Sequence, residues 1–369
     1  IGAGSASPDG QVYAGKSYLV YGKTGGYGVS LDLSALDGSN GFVMNGIGGD
    51  DYSGQPIANA GDVNGDGLDD LIIGASGVDL DGTVDAGAGY LLFGSQTGYG
   101  ASLNLSDLDG SNGFVINGIS AGDYVGDPIS GAGDFNGDGY DDLLIGASGA
   151  DPNGISDAGS SYIVYGGDFR DEVTHQGTSD NDTLSGSGND DILVGGLGDD
   201  HFDGQGGNDV INAGAGSDSI SFDAADTLKV DGGTGYDTLQ LLGSGEPLDL
   251  TALNNNPYDD IERIDLTGTG NNTLTLTSQD LREFTSDNRQ LLVDGDSGDV
   301  VNASDADGYW LLNSNDSITV DGVVVTTDAT GMTTIDGNSY ISYATNYGLD
   351  TLLVNSNVTL NFSYSATLN

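Results

Sequence analysis

The 369-residue chain has no cysteine, two histidines and seven lysines and arginines together. Without cysteine, neither disulfides nor thiolate metal sites hold it together. His175 and His201 are too few imidazoles for an ordinary zinc or histidine-based active site. Seven basic residues stand against 57 acidic ones, a formal net charge of −50. A chain so charged repels nucleic-acid phosphates and anionic membrane surfaces, so neither is expected as a partner. No apolar run approaches the roughly 18 residues of a membrane helix, so no membrane insertion is expected, and no signal peptide is visible.

What is present is glycine, acid and tyrosine: 65 Gly, 57 Asp and Glu, and 18 Tyr, with 36% of residues apolar. That apolar share argues against a wholly disordered chain. Self-repulsion of this size opposes compaction unless cations neutralise it, and a ligand set of oxygens favours a hard ion such as calcium. Acidic, cysteine-free and glycine-rich composition points to an extracellular protein or one at a bacterial cell surface. A first residue of Ile rather than Met suggests a processed product or fragment.

Displaced by 72 residues, the first part of the chain overlays itself. "GYGVSLDLSALDGSNGFVMNG" at 26–46 becomes "GYGASLNLSDLDGSNGFVING" at 98–118. "YLVYG" at 18–22 returns as "YLLFG" at 90–94 and "YIVYG" at 162–166. Short apolar runs bounded by Gly, Asn and Asp read as strands and turns, and repeats of this length suggest β-propeller blades. Tyr18, Tyr90 and Tyr162 recur at blade ends, as packing residues.

Inside the repeat, "DVNGDGLDD" at 62–70 is matched by "DFNGDGYDD" at 134–142. Calcium needs six to eight oxygens, usually from alternating positions of one tight loop. Asp62, Asn64, Asp66, the carbonyl of Leu68, and Asp70 form one such set; Asp134, Asn136, Asp138, the carbonyl of Tyr140, and Asp142 form the other. Asn-Gly and Asp-Gly also make plain β-turns, but two copies in register favour the metal reading. These motifs, with "GFVING" and "GSSYIVYG", resemble the FG-GAP repeats of integrin α-subunit propellers and their bacterial relatives, over residues 1 to about 166. The resemblance implies that the loop joins two strands of a blade and binds calcium. Ile1 aligns with Ile73, leaving one partial and two full repeats, too few to close a ring. Upstream blades, or another chain, are expected to complete it.

A nine-residue step follows: "GTSDNDTLS", "GSGNDDILV", "GGLGDDHFD", "GQGGNDVIN" and "AGAGSDSIS" from 177 to 221, then "GGTGYDTLQ" at 232–240. Aspartate recurs at Asp182, Asp191, Asp200, Asp209, Asp218 and Asp237, with an apolar residue two places on at Leu184, Leu193, Phe202, Ile211, Ile220 and Leu239. Asp190 is an alternative to Asp191, and Thr178, Asp180, Ser187 and Asn189 stand where glycines are expected. The pattern resembles the RTX nonapeptide, which implies a parallel β-roll whose aspartates share calcium with glycine-rich backbone. The implied ligands are these aspartates with the backbone of Gly196, Gly198, Gly207, Gly216, Gly233 and Gly235. Flexible acidic turns do not compact unaided, so binding should be coupled to folding. With calcium tenfold above each dissociation constant, one site contributes about 1.4 kcal/mol and half a dozen about 8 kcal/mol.

Beyond residue 240 neither period persists. "IERIDLTGTGNNTLTLT" and "LLVDGDSGD" read as strands and turns, "SQDLREF" as a helical turn, and the region resembles C-terminal modules of large RTX adhesins. The uncharged tail "VNSNVTLNFSYSATLN" is compatible with a type I secretion signal. The expected fold is all-β: FG-GAP blades over 1–168, an RTX roll over 169–240 and a β-rich domain over 241–369. The expected function is calcium-dependent adhesion or extracellular assembly, with an extracellular ligand or copies of itself as partner. Alternatives are a surface-layer or filament subunit, a passive calcium-binding matrix protein, and the non-catalytic end of a secreted hydrolase. No enzyme is expected: the scattered Ser, His and Asp form no convincing nucleophile or acid/base set.

Overall fold

The computed structural model describes residues 1–253, 256–285, 289–305, 310–313, 317–320, 323–345 and 350–364. The last five residues of the expected secretion signal, 365–369, lie outside the described residues. The chain divides into two compact units: Ile1–Asn136 with Tyr140–Glu172, and Gly137–Gly139 with the chain from Val173 on.

The first unit contains, in chain order, β1 (Gly2–Ala3), β2 (Lys16–Val20), β3 (Gly41–Asn45), β4 (Ile57–Gly61), β5 (Asp70–Ala75), β6 (Ala88–Leu92), β7 (Ser102–Asn104), β8 (Gly113–Asn117), β9 (Val125–Gly133), β10 (Asp142–Ala147) and β11 (Ser160–Val164). They form three sheets, β1-β2-β3-β7, β4-β5-β6-β8 and β11-β10-β9. Each is a meander of antiparallel strands, except that β7 joins β3 in parallel.

Successive strand side chains point to opposite faces, and the middle sheet uses both. Ile73, Ala75, Ala88, Tyr90 and Leu92 pack with Phe42 and Met44 of the first sheet. Ile72 and Leu91 pack with Leu143, Ile145 and Ala147 of the third. Two of the three recurring tyrosines serve this packing: Tyr90 is buried in the first of these clusters, and Tyr162 packs against the second, while Tyr18 is half-buried outside both.

In the second unit the inward apolar residues of the nonapeptides stack in parallel register. Leu184, Phe202, Ile220 and Leu239 form one column; Leu193, Ile211 and Val230 form another. Stacking of this kind is the β-roll the period implies.

The expected boundary at 240/241 is not a break in the core. The first column continues through Ile264, Val293 and Val354, again in parallel. A third column runs Leu248, Leu274, Val301 and Leu360. One apolar cluster runs from Leu184 to Val354. The period vanishes because the step lengthens, from 18 residues (Phe202 to Ile220) to 19, 25, 29 and finally 61 (Val293 to Val354). The longest step holds antiparallel excursions, among them Ser317–Val320 with Val323–Thr326 and Met332–Ile335 with Asn338–Thr345. "SQDLREF" is a helix, Ser278–Phe284, capped by Thr277 and Asp280. Trp310 is buried, its indole N–H donating to the carbonyl of Ser304 at 3.4 Å.

Candidate metal centres

The loop between β4 and β5 is closed by its own carboxylates. Asp62 accepts the N–H groups of Asp66 and Gly67, both at 2.9 Å, and Asp66 accepts that of Leu68 at 2.9 Å. Asn64 donates its amide to Asp66 at 3.0 Å. Asp70 spends both oxygens on backbone: Oδ2 takes the N–H of Val63 (3.0 Å) and Oδ1 that of Gly94 (2.7 Å). Asp62, Asn64 and Asp70 are buried. Burial, with the charges of Asp62 and Asp66 added, pushes Asp70 up to about 8. Gly65 and Gly67 both hold positive φ, which lets the backbone curl around the carboxylates.

The second loop repeats this brace. Asp142 takes the N–H of Phe135 (3.0 Å) and of Gly166 (2.9 Å). Asp142 and Tyr140 are buried, Asp134 and Asp138 half-buried, and Asn136 exposed.

Two participants escaped the alternating-oxygen pattern. Asp141 accepts the backbone N–H of Asp62 at 2.7 Å, tying one loop to the other. Arg170 pairs with Asp66 and Glu172 and lays its guanidinium 5.3 Å from the centre of the Phe93 ring. Nothing in a local motif flags Arg170, which lies 104 residues from its partner.

The nonapeptide aspartates form two ladders. The N–H of Asp182 donates to Oδ1 of Asp200 (2.7 Å), Asp200 to Asp218 (2.6 Å), Asp218 to Asp237 (2.7 Å), and Asp237 to Oε2 of Glu262 (2.9 Å). Alongside, Asp191 donates to Asp209 (2.8 Å) and Asp209 to Asp226 (2.8 Å). Asp226 and Glu262 were not on the sequence-based list. Asp226 is hidden by a shift in spacing, because its inward partner Val230 comes four residues later instead of two. Glu262 sits 25 residues from Asp237, beyond any nine-residue step.

The other carboxylate oxygens separate the first coil from the rest. Oδ2 of Asp182 is satisfied by the N–H and hydroxyl of Thr178, and Oδ2 of Asp191 by those of Ser187. These are the hydroxyl residues that replace glycine in the early repeats. Oδ2 of Asp200, Asp209, Asp218 and Asp237 is buried with no hydrogen-bond donor among the described residues. Glycine lines three of these oxygens: a Cβ on Gly204 would fall 2.0 Å from Oδ2 of Asp209, one on Gly195 2.6 Å from that of Asp200, and one on Gly232 2.9 Å from that of Asp237. A buried, orphaned anionic oxygen in a glycine cradle fits a cation. Burial, reinforced by neighbouring carboxylates, pushes Asp237 up to about 9 and Asp218 and Asp226 up to about 7. Among the described residues no three acidic or histidine side chains already converge as a cluster, consistent with sites that draw on backbone oxygens.

The implied glycines sit where adjacent coils touch. Gly196, Gly198, Gly207, Gly216, Gly233 and Gly235 all have positive φ. At Gly216, φ is +158° and a Cβ would lie 1.8 Å from the carbonyl oxygen of Gly198. The histidines are each engaged by a hydroxyl: His175 Nδ1 with Thr174 Oγ1 at 3.0 Å, and His201 Nδ1 with Ser219 Oγ at 2.9 Å.

The FG-GAP repeat family matches residues 57–92 and 129–164, each spanning a loop and its flanking strands. The RTX calcium-binding nonapeptide repeat matches residues 176–202 and 186–220. The chain carries FG-GAP repeats followed by RTX calcium-binding nonapeptide repeats. It is a calcium-binding extracellular β-repeat protein, and its RTX turns indicate multiple Ca2+ ions.

Phosphatidylinositol-glycan-specific phospholipase D of Mus musculus is 31% identical over 110 residues, which is 30% of this chain and 12% of that protein. Those of Rattus norvegicus and Bos taurus are 33% and 31% identical over 105 residues, 28% of this chain and 12% of each relative. The chain therefore spans about an eighth of the length of these curated relatives, in the FG-GAP region. Among the described residues no helix is long and apolar enough to cross a membrane.

Proposed function

We propose that this chain is a non-catalytic binding or assembly module of the bacterial surface, whose parallel stack folds only when calcium fills the aspartate turns. The observation that carries this reading is the set of four buried, orphaned Oδ2 atoms along two ladders. Without a cation these carboxylates repel one another in a low-dielectric setting, and with one they become the bond between coils. A protein built so is unfolded in a low-calcium cytosol and folds outside.

Proposed RTX ligands are Asp200, Asp209, Asp218 and Asp237, joined by Asp226 and Glu262; Asp182 and Asp191 act by donating their backbone N–H groups to Oδ1 of Asp200 and Asp209. In the FG-GAP loops the proposed ligands are Asp62, Asn64, Asp66 and the Leu68 carbonyl, and Asp134, Asn136, Asp138 and the Tyr140 carbonyl. Asp70 and Asp142 act as braces there as much as ligands, because both oxygens of each hold backbone N–H groups.

Calcium titration followed by circular dichroism and particle size, with an EDTA control, tests the reading. Calcium-induced β-structure supports it, and β-structure indifferent to EDTA sinks it. Discrete particles favour a receptor-binding adhesin; long polymers favour a layer or filament subunit.

A second reading rests on the likeness to the glycan-specific phospholipases: the blades accompany a hydrolase. Turnover of phosphatidylinositol-glycan by this chain alone would replace the non-catalytic reading.

A further inference from the structure

In the first two sheets the repeat supplies a strand of nearly fixed sequence. β3 pairs with β2, placing Phe42 opposite Leu19, and β8 pairs with β6, placing Phe114 opposite Leu91. The two strands read Gly-Phe-Val-Met-Asn and Gly-Phe-Val-Ile-Asn. Both are tied at their start in the same way. The N–H of Tyr21 donates to the carbonyl of Asn40 at 3.1 Å, and that of Phe93 to the carbonyl of Asn112 at 3.0 Å. Each phenylalanine then meets an aromatic neighbour, Phe42 with Tyr21 at 6.2 Å and Phe114 with Phe93 at 6.0 Å between ring centres.

The third sheet has no such strand. β11 is its edge among the described residues, and residues 185–189, 72 positions beyond β8, read Ser-Gly-Ser-Gly-Asn within the nonapeptides. The chain instead turns back after Tyr165, the N–H of Gly167 donating to the carbonyl of Val63 at 2.9 Å. Tyr165 stands in the place of Tyr21 and Phe93, yet among the described residues its N–H finds no acceptor. The side chains beside this edge are bare. Ile163, opposite Leu144, and Tyr165 are 39% and 53% exposed, where their counterparts Leu91 and Phe93 are 0% and 1% exposed. An unpaired edge beside exposed apolar side chains is a template for strand addition.

We propose that β11 binds an extended segment of a partner protein, of the form Gly-Phe-Val-aliphatic-Asn, paired antiparallel in the register of β8 on β6. Its phenylalanine lies opposite Ile163 with its ring against Tyr165, and its aliphatic residue lies opposite Ser161. The chain itself shows which sequence fits, by placing it twice on equivalent strands. In such additions main-chain hydrogen bonds supply affinity and alternate side chains supply specificity. The segment carries no charge, so the net charge of −50 does not repel it. Both of the chain's own copies, Gly41–Asn45 and Gly113–Asn117, are already paired, so a folded second copy has none to lend. This inference rests on the binding-module reading above and gives that module a ligand chemistry.

The test titrates the calcium-saturated full chain with the blocked peptide acetyl-Ser-Asn-Gly-Phe-Val-Ile-Asn-Gly-amide, by calorimetry. Saturable one-to-one binding is expected, weakened about tenfold or more when the peptide's Phe is replaced by Ala. Ile163 lies two residues before Tyr165, so its N–H faces the same open side. Ile163→Pro removes that N–H, a change an edge strand tolerates, and should abolish binding. Tyr165→Ala, at an exposed side chain, should weaken binding about tenfold and serves should the proline prevent folding. No binding by the parent chain, equal binding of a scrambled peptide, or equal binding by a folded variant overturns the proposal. Sedimentation showing that copies of the parent associate, with Ile163→Pro monomeric, overturns it in favour of self-pairing. If the parent folds on calcium addition yet ignores the peptide, the strand proposal fails alone and the calcium reading stands.

Discussion

The backbone N–H of Asp200 donates to Oδ1 of Asp218 at 2.6 Å, while Oδ2 of Asp218 is buried without a donor among the described residues. One side chain therefore performs two tasks, spacing adjacent coils and presenting a naked charge to a cation.

Asp218→Asn separates those tasks. The amide oxygen still accepts the N–H of Asp200, but the charge is gone. The calcium midpoint of folding should rise, with a loss of about 1.4 kcal/mol if the site is tenfold saturated. In EDTA the same variant should hold at least as much β-structure as the parent, because a like-charge repulsion has been removed. Circular dichroism at graded calcium reads both; a variant weaker in EDTA contradicts the argument.

The raised carboxyls set a pH dependence opposite to ordinary acid denaturation. Asp237 (about 9), Asp70 (about 8), and Asp218 and Asp226 (about 7) all lie above the unfolded value near 3.9. The metal-free folded state therefore binds more protons than the unfolded one between roughly pH 4 and 9, and its stability falls as pH rises through that window. With calcium bound the sign reverses, since protons compete for the same oxygens. The calcium concentration needed for half-folding, followed by circular dichroism, should therefore fall from pH 5 to pH 9.

Gly216→Ala should weaken the stack by about 1–3 kcal/mol from backbone strain alone, with the clash against the Gly198 carbonyl added. Gly22→Ala is the control: φ is not in the left-handed region and nothing lies within 4 Å of its Cβ, so thermal unfolding should barely move.

Arg170→Gln should lower thermal stability more in EDTA than in calcium. The guanidinium neutralises Asp66 in a loop where Asp62 and Asp70 are also acidic, a task that a bound ion takes over. An equal drop in both conditions would place Arg170 outside the charge balance of the loop.

Asn272 marks where the sequence stopped being readable. Its amide nitrogen donates to the carbonyls of Leu241, Gly243 and Leu266 at 3.2 to 3.3 Å, while its oxygen accepts the N–H of Glu246 and its own N–H goes to Asp299. A neutral amide thus gathers backbone oxygens without a metal. Asn272→Asp would set a carboxylate against three carbonyls and should cost roughly 3 kcal/mol or more, measured by chemical unfolding.

The nonapeptide aspartates and their inward partners were legible because both spacing and polarity repeat: Leu184, Leu193, Phe202, Ile211, Ile220 and Leu239 are all buried. The FG-GAP loops were legible for the same reason, twice over. Asp226, Glu262 and the stacking register after Leu239 were not, since parallel stacking constrains only the rungs and leaves the length between them free; the strands and the Ser278–Phe284 helix there were read, but not their order in the stack. Arg170 was illegible for another reason: its pairing joins residues far apart in sequence, and one arginine carries no pattern.

Those unequal steps have an engineering consequence. The core registers only two or three short rungs per turn, so material added at the Asp336–Gly337 tip, where both residues hold positive φ between Met332–Ile335 and Asn338–Thr345, lengthens a side arm without touching a rung. The stack is thereby a scaffold that can carry foreign cargo on its flank while its spine keeps its order.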